Sequence, residues 1–92
     1  MLPASVELSA YRIVEHLAGV LADRHDAPAA VQVCFHPDVL ELHVSGAVSR
    51  GAEVRETLAR TRERARLHAG SVEVKLTRGR ARVVVHLPVP DG

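Results

Sequence analysis

Six histidines and one cysteine are the first candidates for metal binding or proton transfer in this chain. His36 and His43 flank a predicted hairpin turn, so we expect these two imidazoles to approach each other. Two imidazoles without a third ligand make a poor zinc site. Cys34 falls in a predicted strand, where it serves as a small apolar side chain. The sequence therefore predicts no catalytic residues, no metal site and no bound cofactor.

Arginine is the second residue type that could form a functional site, since it binds acidic groups, and it is concentrated in the second half of the chain. Residues 1–49 hold two arginines against six acids, whereas residues 50–82 hold nine arginines and one lysine against four acids. This asymmetry predicts an acidic partner or self-association. Arg55, Arg62 and Arg66 are spaced by seven and four residues, which places them on one stripe of a helix. They are the predicted partner-binding residues.

An amphipathic helix and the hairpin after it position these arginines. Residues 52–69 repeat apolar side chains at steps of three and four, with Val54 and Leu58 on the resulting face. Gly70 is expected to end this helix in a left-handed conformation. The alternation of apolar and polar residues that follows predicts a hairpin of two strands.

The first half of the chain has the same order, a helix followed by a hairpin. Leu8, Tyr11 and Leu17 are expected on the apolar face of its helix. The six elements predict an α+β fold of order α-β-β-α-β-β, a two-layer sandwich with both helices on one face of a mainly antiparallel four-stranded sheet. The predicted bounds are 6–23 and 52–69 for the helices, and 31–36, 39–45, 71–77 and 81–87 for the strands.

Length and composition fit one small domain, residues 1–92. One Phe, one Tyr and no Trp leave few rings on which bases could stack, so nucleic acid is a disfavoured partner. No stretch approaches the roughly 18 apolar residues of a membrane span, and the first residues lack the pattern of a signal peptide. We therefore expect a soluble, cytoplasmic domain with no membrane partner.

Four short segments match a known pattern in their order and spacing. They are residues 11–15 in the first helix (YRIVE), 62–65 (RERA) and 69–72 (AGSV) around the end of the second, and 83–88 (VVVHLP) in the last hairpin. Together they resemble the ATPase domain of actinobacterial-type sensor histidine kinases, which belongs to the GHKL superfamily and has the Bergerat ATP-binding fold. The resemblance covers residues 2–88 and implies a role in two-component signalling.

The positions that the resemblance assigns to nucleotide binding carry other residue types here. It implies a metal-binding Asn on the first helix, where Gly19 or Val20 stands. It implies an adenine-binding Asp at a glycine box, where residues 45–49 contain no acid. It also implies a glycine pair before the closing helix, where Arg55 and Thr57 stand.

These departures predict a histidine-kinase-like domain that has lost ATP and Mg²⁺ binding and acts as a regulatory or protein-interaction module. Without an acceptor for the adenine amino group or a hard oxygen ligand for Mg²⁺, the pocket lacks its main polar contacts. The expected partner is a protein, such as a signalling kinase or regulator, or a second copy in a homodimer. Two alternatives stay open: an ATP-binding catalytic fragment of a sensor histidine kinase, and a nucleic-acid-binding module that uses the Arg-rich second helix and the turn from Arg78 to Arg82.

Overall fold

The computed structural model describes residues 2–21, 29–49 and 51–90, in which two helices and four strands follow the predicted order. None of the helices in these ranges is long and apolar enough to cross a membrane. The helices are α1 (Ala4–Leu21) and α2 (Gly51–Leu67), and the strands are β1 (Ala30–Phe35), β2 (Val39–Ala47), β3 (Ser71–Thr77) and β4 (Arg80–Pro88).

The element bounds agree with the prediction to within two residues wherever the structure describes them. Helix α1 begins at Ala4 rather than at residue 6, and its predicted last residues, 22 and 23, lie outside the described ranges. Helix α2 ends at Leu67 rather than at residue 69, and β2 continues to Ala47 rather than ending at residue 45. The longer β2 removes part of the loop that the sequence predicts before α2.

The four strands form one antiparallel sheet with the order β1-β2-β4-β3. Strands β2 and β4 are therefore central, and β1 and β3 are the two edges. Both helices pack on the sheet, and α1 lies mainly against α2 and β2. The predicted α+β two-layer sandwich is confirmed.

The core lies between the helices and the helix-facing side of the two central strands. Alternate residues of β2 and β4 are buried, as the period of two requires. Ile13 and Leu17 of α1 are also buried, but Leu8 and Tyr11 are 56% and 63% exposed. At about 100° per residue these two lie on the far side of the helix from Ile13. Their predicted place on the apolar face is therefore wrong, because the stripe that packs is narrower than the apolar stripe in the sequence.

The end of α2 is a Schellman motif in which an alanine adopts the left-handed conformation. Ala69 has φ 56°, and the Gly70 N–H donates to the Ala65 carbonyl at 2.8 Å while the Ala69 N–H donates to the Arg66 carbonyl at 3.0 Å. The prediction that Gly70 is the left-handed residue is thus wrong. Gly70 is required for space, because a Cβ there would overlap the backbone carbonyl oxygen of His86 on β4.

Candidate functional site

A group of histidines surrounds Glu41 on the open face of the sheet, opposite the helices. The Glu41 carboxylate lies 3.1 Å from His36 Nε2, 2.6 Å from His43 Nε2 and 3.7 Å from His86 Nε2. The two shorter distances are hydrogen bonds. The third distance is within the range of an ion pair, which His86 forms with the carboxylate only when its imidazole is protonated. We call these four side chains the Glu41 cluster.

Strand geometry and one interstrand register bring the Glu41 cluster together. Glu41 and His43 are two residues apart on β2, so their side chains share a face. His86 lies directly opposite Glu41 in the β2–β4 pairing. His36 and His43, predicted to approach each other, bond to the two oxygens of this one carboxylate. His86 was missed by sequence reasoning, because it joins through the pairing of two strands that are distant in the chain.

Arg82 on β4 extends the cluster and determines which nitrogen of His43 carries the proton. Its Nη2 lies 3.3 Å from His43 Nδ1. A guanidinium can only donate, so Nδ1 accepts, and the Nε2–H of His43 donates to Glu41. This hydrogen bond from His43, with the charges of His86, His43 and His36 when they are protonated, holds the pKa of Glu41 below its ordinary value, although partial burial acts in the opposite direction. The cluster therefore keeps one ionised carboxylate on the open face.

The side chains of the Glu41 cluster bond to one another. Within the described ranges, no group of three or more His, Cys, Asp and Glu side chains is arranged to hold a metal ion. In the Glu41 cluster the imidazole nitrogens bond to the carboxylate itself.

We expect Glu41→Gln to destabilise the fold more near pH 7 than near pH 3. Because the folded-state pKa of Glu41 is lowered, its ionised form stabilises the fold above the ordinary carboxyl value of about 4.3. That contribution is lost as the pH falls through the lowered value. Urea unfolding of the parent and the variant across this range measures the difference in stability. Glu73→Gln is the matched control, because Glu73 lies on β3 and faces the same open side of the sheet as Glu41. A difference between Glu41→Gln and the parent that stays constant on acidification would contradict the assignment.

The remaining described histidines lie apart from the Glu41 cluster. His68, at the end of α2, bonds through Nε2 to the Oγ of the buried Ser9 on α1 at 2.8 Å, which ties the two helices together. His16 is exposed on α1 and lines the groove described next. His25 lies outside the described residues.

A groove of about 540 Å³ runs between the two helices. Its lining includes Ile13 and His16 from α1, and Arg60, Arg64 and Arg66 from α2. Arg60 is paired with Glu56 at 2.9 Å, and Glu63 also lines the groove. The remaining excess of arginine favours an anion or acidic side chains as ligand. The groove is thus a basic surface on the helix layer, on the opposite side of the molecule from the Glu41 cluster.

The predicted partner-binding arginines are all exposed on α2. The side chains of Arg55, Arg62 and Arg66 are accessible to solvent, as binding of a partner requires. Arg66 lines the groove, whereas Arg55 and Arg62 lie outside it. Their role as partner contacts stays a prediction.

The two segments that the resemblance assigns to glycine boxes lie largely in regular structure. Strand β2 occupies residues up to Ala47, and α2 runs without a break from Gly51 to Leu67, through Arg55 and Thr57. Beyond its first four residues, a helix uses its N–H groups for internal bonds. A phosphate-binding loop needs such groups free and pointing at the ligand. The free backbone of a glycine box is therefore not available at residues 45–47 or at Arg55 and Thr57.

The helix-facing side of β1 carries uncovered apolar side chains. Val33 is paired with the buried Leu42, and Val31 and Phe35 share its face. Val31 and Val33 are each 44% exposed and Phe35 is 71% exposed, because α1 lies chiefly over α2 and β2. We call Val31, Val33 and Phe35 the β1 apolar strip.

No protein-family model matches the chain, and no curated protein matches it significantly. The resemblance to histidine-kinase ATPase domains therefore stays a prediction.

Proposed function

We propose that this chain is a protein-interaction module of the histidine-kinase-like ATPase type that does not bind nucleotide. The observation that carries this proposal is the unbroken course of α2 from Gly51 to Leu67. The resemblance requires a glycine pair with free N–H groups before the closing helix, and the corresponding positions, Arg55 and Thr57, lie inside α2. The α-β-β-α-β-β order is compatible with the resemblance. The module acts in two-component signalling, where its partner is a signalling kinase, a regulator or a second copy of itself.

Two surfaces of the module suit protein partners by different chemistry. The arginine stripe of α2, Arg55, Arg62 and Arg66, attracts acidic side chains, and salt weakens such contacts. The β1 apolar strip gains stability from burial of apolar area, which added salt does not screen. The response of a complex to salt therefore separates the two surfaces.

Nucleic-acid binding is less well supported by the placement of the arginines. Those of α2 lie on the helix layer, whereas Arg82 lies on the open face of the sheet, where it bonds to His43. A nucleic acid bound along one face of the domain would contact either the arginines of α2 or Arg82, but not both. Because phosphate contacts supply most of the affinity of such complexes, a divided basic surface is unfavourable.

We expect Mg-ATP at about 1 mM to leave the melting temperature nearly unchanged. A dissociation constant of about 10 μM would stabilise the fold by about 2.7 kcal/mol at that concentration. In a domain of this size the stabilisation would raise Tm by roughly 10 °C or more. Magnesium tripolyphosphate is the control, since it reports any attraction of phosphate to the groove arginines. A saturable rise with Mg-ATP that tripolyphosphate does not reproduce would contradict the proposal.

A further inference from the structure

Strand β1 is an edge strand that lacks the usual protection against pairing. Within the part of the chain that the structure describes, the sheet order leaves one side of its backbone without a neighbouring strand, and unpaired N–H and C=O groups are a template for another strand. Natural edges are commonly blocked by charged residues or proline. Residues 30–35 (AVQVCF) contain neither. The opposite edge, β3, carries Glu73 and Lys75.

The β1 apolar strip gives a second, independent reason for this edge to be covered. Val31, Val33 and Phe35 point to the helix side of the sheet, where the corresponding residues of β2 are buried. Their exposed fractions show that α1 leaves them in contact with water. A strand added beside β1 would cover both the open backbone and part of this apolar area.

We infer that the partner of β1 is β1 of a second copy, so that two four-stranded sheets join into one of eight strands. This inference rests on the proposed interaction function and names its partner. A segment without charge meets its own copy without repulsion and needs no complementary charge from a different protein. An exact copy also supplies an apolar strip of equal length on the same side of the sheet.

Two-fold symmetry fixes the register of this pairing. An axis relating adjacent antiparallel strands is perpendicular to the sheet, so residues opposite each other must face the same layer. Only a pairing centred on Val33 gives every residue of the strip a strip residue as its neighbour. It places Val33 opposite the partner's Val33, and Val31 opposite the partner's Phe35. Cross-strand pairs of β-branched and aromatic residues are favourable.

Sedimentation and light scattering at about 10–100 μM, in low and high salt, test this dimer. We expect the parent to have twice the monomer mass at both salt concentrations, because no charged side chain lies in the paired segment. Val33→Lys should weaken association at least tenfold, since it places two like charges opposite each other at the axis. Leu76→Lys is the matched control: Leu76 is helix-facing on the other edge strand and 70% exposed. It should leave the dimer intact.

A cysteine at the axis tests the register directly. In a Cys34→Ser background, Val33→Cys should form a disulfide-linked dimer on mild oxidation, whereas Leu76→Cys should not. This result does not depend on how well Val33→Lys folds. A parent that stays monomeric at the highest concentration, or a dimer that survives Val33→Lys with unchanged affinity, would overturn the inference. A monomer that also gives no response to Mg-ATP would overturn only the dimer and leave the nucleotide-free interaction function standing.

Discussion

Gly46→Ala should destabilise the fold by about 3 kcal/mol, the upper end of the range for overpacking a core. Gly46 is a buried residue of β2 that lies beneath the C-terminal end of α1. A Cβ there would overlap the carbonyl oxygen of Leu21 and lie 2.9 Å from its carbonyl carbon. Since these are backbone atoms, no side-chain rotation relieves the overlap, and the end of α1 has to move. The expected fall in Tm is more than about 10 °C in a domain of this size.

Gly19→Ala is the control that separates lack of space from the general effect of replacing a glycine. A Cβ at Gly19 would meet nothing within 4 Å, and the residue lies exposed within α1. Alanine should stabilise this helical position by about 0.5–1 kcal/mol. Urea unfolding should therefore shift in opposite directions for the two variants. A Gly46→Ala variant at least as stable as the parent would show that the contact of Gly46 with Leu21 does not limit stability.

Local periodicity was sufficient to predict the elements of this fold. The alternation over residues 71–77 predicts the bounds of β3 as the structure has them. Steps of three and four place Val54 and Leu58 correctly in the core. The same method fails for Leu8 and Tyr11, since the sector of α1 that becomes buried depends on where α2 and β2 lie. Sequence spacing describes one helix and does not contain the position of its neighbours.

The candidate surfaces depend on strand order, which periodicity cannot supply. A short turn pairs β1 with β2 and another pairs β3 with β4, but nothing in the alternation requires β2 to lie beside β4. That pairing sets His86 opposite Glu41. It also makes β1 an edge. If β1 instead of β2 lay beside β4, β1 would have a strand on each side and His86 would be separated from Glu41, although every element had been predicted correctly.

Leu17→Ala is expected to cost about 2–5 kcal/mol, because it opens a cavity in a core that cannot fully collapse. The Leu17 side chain is 0% exposed on α1, which packs against both α2 and β2. With a total stability of about 5–15 kcal/mol for an ordinary domain, this one change removes a large share of the margin.

Leu67→Ala, at the C-terminal end of α2, is the matched control for Leu17→Ala. Leu67 is 83% exposed, so the same truncation should stay within about 0.5 kcal/mol of the parent. Urea midpoints with unchanged slopes would give both differences directly. Equal costs for the two variants would mean that α1 does not pack on β2 as described. Because β2 is the one strand that pairs with β1 among the described residues, a loosely packed α1 would also weaken the edge on which the dimer depends. A large cost for Leu17→Ala alone would instead establish that α1 packs on α2 and β2 as described.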